Sequence, residues 1–434
     1  MTTRTLLLLL LAFLGFMIYV EWQSEVANEA PTPVEPLPGQ RAEVEPQLDD
    51  PDLPELPEAA PRAADAGPDD RAEMPEPVAR SGERIEVQTD LLIAEIDPVG
   101  GTLTSLRLKE FPVAVDQPDV PIELLGEELT ELHIAQAGLI DTDRRAPNHT
   151  TSYAYEQAFY ELPAGAERLT VPLTWRDEAG LKVVQSWTFH RDDYVIEHRF
   201  EILNRGQTAW EGSRYLRLQR TLSSDGNGMT FTNPERISYN GAAVYSEEDK
   251  FQKLKFDDFD EQQYRNTITG GWAGMVQHYF LSAWIPPADE AHQYTTRLID
   301  RQTPNRYAVT LTSTPVSVSP GGEARFTSRL YAGPKQQNRL DAIAPGLSLT
   351  VDYGIFTVFS KPLFWLLDHI QDFVKNWGVA IILLTLLIKL AFYKLTQAQF
   401  RSMGKLRKLQ PRIQQLKERY GDDRQKFGQA MMEI

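Results

Sequence analysis

Residues Trp377 to Leu395 form an almost unbroken apolar run, WGVAIILLTLLIKLAFYKL, and a run of this kind leaves the chain few environments to occupy. Its 19 residues, at about 1.5 Å each, would reach roughly 28 Å as a helix, close to the hydrocarbon thickness of about 30 Å. The flank that follows is basic, with Lys394, Arg401, Lys405, Arg407 and Lys408. Positive charge stays inside, so that flank is expected in the cytoplasm and residues 376–396 are expected to cross the membrane.

A second apolar run, Thr5 to Val20, follows Arg4 and precedes Glu21, Glu25 and Glu29. It is short for a span, although Trp22 can lie at the interface and extend it. A cleavable leader is the competing reading. The following residues offer no small-x-small site, since a cut after Ala27 would place Glu25 at −3. Residues 1–22 are therefore expected to be an uncleaved signal anchor with a cytoplasmic amino terminus. The two runs then agree, and what lies between them sits outside the inner membrane.

Charge supports such a topology. The chain has 434 residues and a formal charge of −17, yet Lys394 to Ile434 carry +6, leaving −23 on the rest. That asymmetry suits a membrane orientation, and the total argues against a general nucleic-acid binder. No cysteine is present, which excludes disulfides, thiolate metal sites and cysteine nucleophiles.

Residues 23–83 are expected to be a disordered acidic linker. Counted from Glu21, the stretch holds 12 of the 29 prolines and 17 acidic residues against 4 arginines. Such a segment cannot bury enough apolar surface to fold. From 84 to 343 short alternating segments take over: Ile196, His198, Phe200 and Ile202 share one face, and Asp177-Glu178-Ala179-Gly180 separates two strand-like runs. Repeated strands with turn punctuation predict an antiparallel all-β sandwich. No HExxH, GxSxG, Walker loop or GxGxxG occurs, and the seven histidines are scattered. No catalytic residue, metal or cofactor is expected; His198, on an inward face, reads as a core histidine. Residues 344–375 contain a third, interrupted apolar stretch, Ile355 to Val374, with Pro362 starting or kinking it. It is expected to lie as an amphipathic helix in the outer interface, the alternative being a last helix of the soluble region.

The costly residue is Lys389, twelve positions past Trp377. Thr385 lies one turn before it and Tyr393 one turn after, so a continuous helix would carry the three as a polar stripe. A charge inside a span faces protein or a wet cavity, which suggests a groove meeting polar or acidic parts of a passing chain. The bland alternative is a lysine that snorkels to the cytoplasmic surface from about 9 Å above Leu395. Spacing alone leaves the two even. Further on, Leu406, Leu409, Ile413, Leu416 and Tyr420 follow a 3–4 spacing, and Gly421-Asp422-Asp423 reads as a helix stop and new cap. Residues 397–434 thus predict the start of a cytoplasmic helical hairpin that the sequence leaves unfinished.

These motifs carry a family resemblance. Asn376-Trp377-Gly378, the apolar helix with Thr385, and the run from Leu395 to Pro411 closely resemble the YidC membrane protein insertases, as does Arg412 to Met432. So do Gly270-Gly271-Trp272, Ala283-Trp284-Ile285-Pro286 and Leu349 to Gly354. The resemblance implies a multi-domain, multi-pass inner-membrane protein: a periplasmic β-supersandwich, α-helical transmembrane segments and a cytoplasmic hairpin. It implies a chaperone that inserts nascent membrane proteins without a chemical reaction, alone or beside the Sec translocon, with the ribosome and membrane lipids as further partners. Its hydrophilic groove would take Lys389, Thr385 and Tyr393, and Lys405, Arg407, Lys408 and Arg412 would form a basic cytoplasmic contact. The family usually has arginine at the position of Lys389, so the charge is kept and the planar fork lost. Lys394 stands where the family usually has proline, which predicts a straighter helix end.

Two other classes compete. A membrane-anchored periplasmic sugar-binding or sugar-isomerising sandwich would gain from a pocket bearing paired histidine and carboxylate groups. A structural tether beside the translocon would gain if further membrane helices were missing.

Overall fold

The computed structural model describes residues 53–54, 57, 62–63, 83–142, 145–222, 239–260, 263–300, 304–351, 357–404 and 411. The expected signal anchor, most of the linker and nearly all of the cytoplasmic hairpin lie outside these residues. The chain divides at Asp352/Tyr353 into a β-rich unit and a helical unit.

Alternation builds the β-rich unit. In the strand Val195–Asn204 the residues Ile196, His198, Phe200 and Ile202 are all buried, as their spacing predicts. Its neighbour Glu323–Pro334 pairs with it antiparallel, Phe200 facing Phe326. The described strands form a twelve-stranded and a nine-stranded sheet, almost wholly antiparallel. One apolar core serves both: Leu216 and Leu218 come from the larger sheet, Trp187, Phe200 and Trp284 from the smaller. Two indoles tie the layers together. Trp284 Nε1 donates to the Arg217 carbonyl at 3.2 Å, and Trp187 Nε1 to that of Gly101 at 3.0 Å. Buried indoles need such partners, so these bonds fix the relative placement of the sheets.

Gly270 and Gly271 carry the chain from one sheet to the other. They join Arg265–Thr269 of the larger sheet to Trp272–Val276 of the smaller, with φ of +68° and +73°. A Cβ at Gly271 would overlap the Tyr245 carbonyl oxygen, a backbone atom that cannot swing aside. Gly271→Ala should therefore lower stability by about 2–3 kcal/mol, from left-handed strain plus the clash. Urea unfolding of the detergent-solubilised chain, followed by tryptophan fluorescence, checks this; a loss under about 1 kcal/mol would show that the crossing relaxes.

The unit extends past the expected boundary at residue 343. Helix α1 (Gln337–Ile343) and a 3-10 turn (Leu347–Thr350) place Leu340 and Leu347 in the same core. The linker also departs from expectation at one point. Arg62–Ala63 form a short strand parallel to Val316–Ser317, on the edge of the larger sheet.

Candidate functional site

In the helical unit, α2 (Thr357–Val374) and α3 (Trp377–Ala391) are joined by two residues. Lys375 turns the chain with φ of +52°, after its amide closes α2 on the Gln371 carbonyl at 2.6 Å. Asn376 then caps α3, its side-chain oxygen accepting from the Val379 amide at 3.1 Å. Pro362 lies inside α2 and does not start it. The hairpin holds an apolar cavity of about 520 Å³, lined by Ile370, Phe373 and Val374 of α2 and by Leu383, Leu386, Leu387 and Leu390 of α3.

The helix expected to run on through Leu395 stops at Ala391. Phe392, with φ of −90° and ψ of 5°, separates it from α4 (Tyr393–Gly404), and the two axes differ by 62°. No proline or glycine lies between Ile388 and Leu395. Hydrogen bonds close on both sides of the break, Phe392 N to Ile388 O at 3.0 Å and Thr396 N to Phe392 O at 2.9 Å. The turn therefore comes from one residue whose ψ is roughly 45° from the helical value. The straighter end predicted from Lys394 is not what forms. The 15 residues of α3 reach only about 22 Å. No single helix among the described residues is long and apolar enough to cross a membrane; α3 and α4 pass that test as a bent pair.

This break reorganises the expected stripe. Thr385 and Lys389 lie four residues apart on exposed positions of α3, and the Thr385 hydroxyl donates to the Ile381 carbonyl at 2.7 Å. Tyr393 falls beyond the elbow, where it lines a cavity of about 460 Å³ with Thr396, Gln397, Phe400 and Arg401. Lys389 sits in the last turn of α3, so its ammonium is set near the carbonyl end of the helix dipole. Lys405, Arg407, Lys408 and Arg412 lie outside the described residues.

The β-rich unit has its own polar centre, which alternation points to once Arg214 is put on the same face as Leu216 and Leu218. Arg214 is fully buried between the sheets. Its Nη1 donates to the Thr327 carbonyl at 2.6 Å and its Nη2 to His292 Nε2 at 2.7 Å, with the Glu290 carboxylate 3.8 Å away. An Nε2 that accepts leaves the ring proton on Nδ1, which faces the Glu290 carbonyl at 3.3 Å. His292 is buried and the Glu290 side chain only 15% exposed, and neither residue lines the cavity that opens elsewhere in the unit. That cavity, about 480 Å³, is bordered by Glu197 and His198, consecutive residues that point to opposite faces. The His198 ring packs between Trp187, Phe200 and Trp284 in the core, where burial, followed by the Arg214 charge, holds its pKa well below the usual 6.5. Among the described residues no group of three metal-ligating side chains converges.

Among solved structures, two resemble part of the chain. A galactose mutarotase-like protein from Lactobacillus casei aligns at 11% identity and a TM-score of 0.40, covering 57% of this chain and 99% of its own. A galactose mutarotase related enzyme from Lactobacillus acidophilus gives 9% and 0.36, covering 57% and 97%. Likeness at that level carries no functional argument. Sequence relatives say more. Membrane protein insertase YidC of Alkalilimnicola ehrlichii is 46% identical over 81% of this chain and 61% of its own length. The proteins of that name from Nitrosococcus oceani and Methylobacillus flagellatus are 38% and 40% identical over 98% of this chain, and 76% and 74% of theirs. This chain thus spans less than two thirds of the first relative and about three quarters of the others. The family description of the YidC periplasmic domain matches residues 84–366, and that of the 60Kd inner membrane protein matches 369–434. A sheet-built unit followed by the α2–α3 hairpin, matched in that order along nearly the whole sequence, means that the chain belongs to the YidC membrane protein insertase family.

Proposed function

We propose that the chain works as an insertase and chaperone that moves hydrophobic segments of new proteins into the bacterial inner membrane. The observation that carries this reading is the polar pair Thr385–Lys389 on an otherwise apolar α3, within the region that matches the family. A charge is expensive at membrane depth unless it meets water or an opposite charge, and a passing polar or acidic segment supplies both. The β-rich unit would lie in the periplasm and the basic stretch after α4 in the cytoplasm, by the positive-inside rule. Exposed Trp365 on α2 suits the membrane interface. The proposed partners are nascent membrane proteins and lipids, with the Sec translocon and the ribosome as the machinery that delivers them; Lys405, Arg407, Lys408 and Arg412 would serve that contact. Against the sugar-isomerising alternative, the half-exposed His190–Glu197 pair, 3.4 Å apart, sends only Glu197 to the cavity of about 480 Å³.

The test is insertion of a single-span protein with an acidic leading segment, in cells that have this protein as their one insertase. Lys389→Ala should slow insertion about ten-fold, equivalent to ~1.4 kcal/mol of lost attraction, while Lys389→Arg should keep most of the rate. Unchanged insertion by Lys389→Ala would assign the lysine to snorkelling or to the helix end.

A further inference from the structure

The larger sheet has a polar face turned away from the core, and it is covered. On Trp210–Thr221, Leu216 and Leu218 point inward, so Tyr215, Arg217 and Gln219 point outward. Register lines up Arg217 with Thr310, Thr310 with Thr295, and Thr295 with Arg265 across four strands; Arg297 is two residues from Thr295. Yet Arg217, Gln219 and Thr310 are buried. A cavity of about 190 Å³ lies on this face between Arg217, Arg265, Arg297, Gln293 and Thr310, and its remaining wall includes Pro54. Pro54 belongs to the acidic linker, and Leu53, Pro54 and Pro57 are all only partly exposed. A few residues later, Arg62–Ala63 add to the sheet edge. Leu53, Pro54, Pro57 and Arg62–Ala63 also fall in the same compact unit as the sheets.

The linker's sequence here is a tripeptide repeat: Pro51-Asp52-Leu53, Pro54-Glu55-Leu56, Pro57-Glu58-Ala59. Proline every third residue favours polyproline II, which has three residues per turn and a rise of about 3.1 Å. That period would set the prolines, the acids Asp52, Glu55 and Glu58, and the Leu/Leu/Ala side chains in three separate stripes. The acids would recur about every 9 Å. On sheet spacing, the three arginines stand roughly 7–14 Å apart, close enough for such an acidic ladder. A preformed polyproline II helix loses little entropy on docking.

We propose that residues 51–63 dock in cis on this arginine face: the proline–acid repeat occupies the groove formed by Arg217, Arg265 and Arg297, and the Arg62–Ala63 strand secures its end.

The chain has no cysteine, so introduced ones report cleanly. Leu53→Cys is paired with Gln293→Cys in the groove, or with Val115→Cys, which is 99% exposed, as the off-site control. The detergent-solubilised full chain is treated with a short bis-maleimide in 50 mM salt. The proposal expects a cross-link of monomer mass with Gln293→Cys, at least five-fold above the Val115→Cys control. Adding Asp52→Asn, Glu55→Gln and Glu58→Gln, changes on the linker that leave the sheets intact, should cut that yield about five-fold. So should 500 mM salt, which shortens the screening length to about 4 Å. Equal yields at the two sites, a product of dimer mass, or indifference to both neutralisation and salt would each overturn it. The dimer-mass product would assign the groove to the linker of a second copy.

Discussion

Arg214→Ala should destabilise the β-rich unit by about 3–5 kcal/mol, because it removes one partner of a buried charged group and strands the others. The guanidinium sits 5.4 Å over the Phe326 ring and reaches Thr327 O, His292 Nε2 and Glu290 together. Alanine leaves the Glu290 carboxylate with its buried cationic neighbour gone, and leaves a cavity against Phe326 besides. For a unit of this size each kcal/mol moves the midpoint by roughly 2–4 °C, so thermal unfolding of the full chain in detergent should shift down by about 10 °C. Arg214→Met refills the space but not the charge and should fall between. Combined with Glu290→Gln it should recover part of the loss, giving a coupling of at least about 1 kcal/mol in a double-mutant cycle. A shift below about 3 °C for Arg214→Ala would mean that water enters and replaces the arginine.

Mild acid should weaken the same unit by at least about 2 kcal/mol between pH 8 and pH 5. Burial, with a smaller contribution from Arg220, lowers His133 to about 3, while burial and Arg214 hold His198 well below its usual value. His133 Nε2 lies 2.7 Å from the Ser282 hydroxyl, inside the protein. Both folded values lie under the unfolded 6.5, so the unfolded chain binds more protons once the pH drops below 6.5. Stability is full above that point and declines as the pH falls, for His133 until about pH 3. At pH 5 the unfolded side is about 1.5 pH units past its pKa, which amounts to ~2 kcal/mol for His133, with His198 adding in the same direction. His133→Gln, which keeps a hydrogen-bonding group but cannot titrate, should remove about 2 kcal/mol of the acid sensitivity. Urea midpoints measured at pH 8, 6.5 and 5 check this, and a flat profile for the native chain would overturn it.

Local pattern was readable in the sequence; long-range partnership was not. Strand alternation placed Ile196, His198, Phe200 and Ile202 on one buried face, and it named His198 as a core residue. The same rule applied to Trp210–Thr221 marks Arg214 as inward, but nothing local says that His292 and Glu290 will meet it from nearly 80 residues away. The elbow at Phe392 escaped because proline and glycine are the signals for a helix break, and neither is present. Likewise, composition marks the linker as unable to fold by itself, which is a statement about its own apolar content. It does not forbid Arg62–Ala63 from borrowing an edge that another part of the chain provides.

The pairing of Phe200 with Phe326 also sets a clock. During synthesis the strand Val195–Asn204 waits for Glu323–Pro334, whose first residue follows 119 positions after Asn204. At about 5–20 residues per second, this interval is roughly 6–24 s. Until then the nine-stranded sheet has an open edge in its middle, and closing so large a loop is slow in its own right. When the final strand does arrive, only the α1 segment and the 3-10 turn stand between it and the helical unit. The β-rich unit can therefore complete its fold only after Pro334 has been made, shortly before synthesis reaches α2 and α3, which brings the two events close in time.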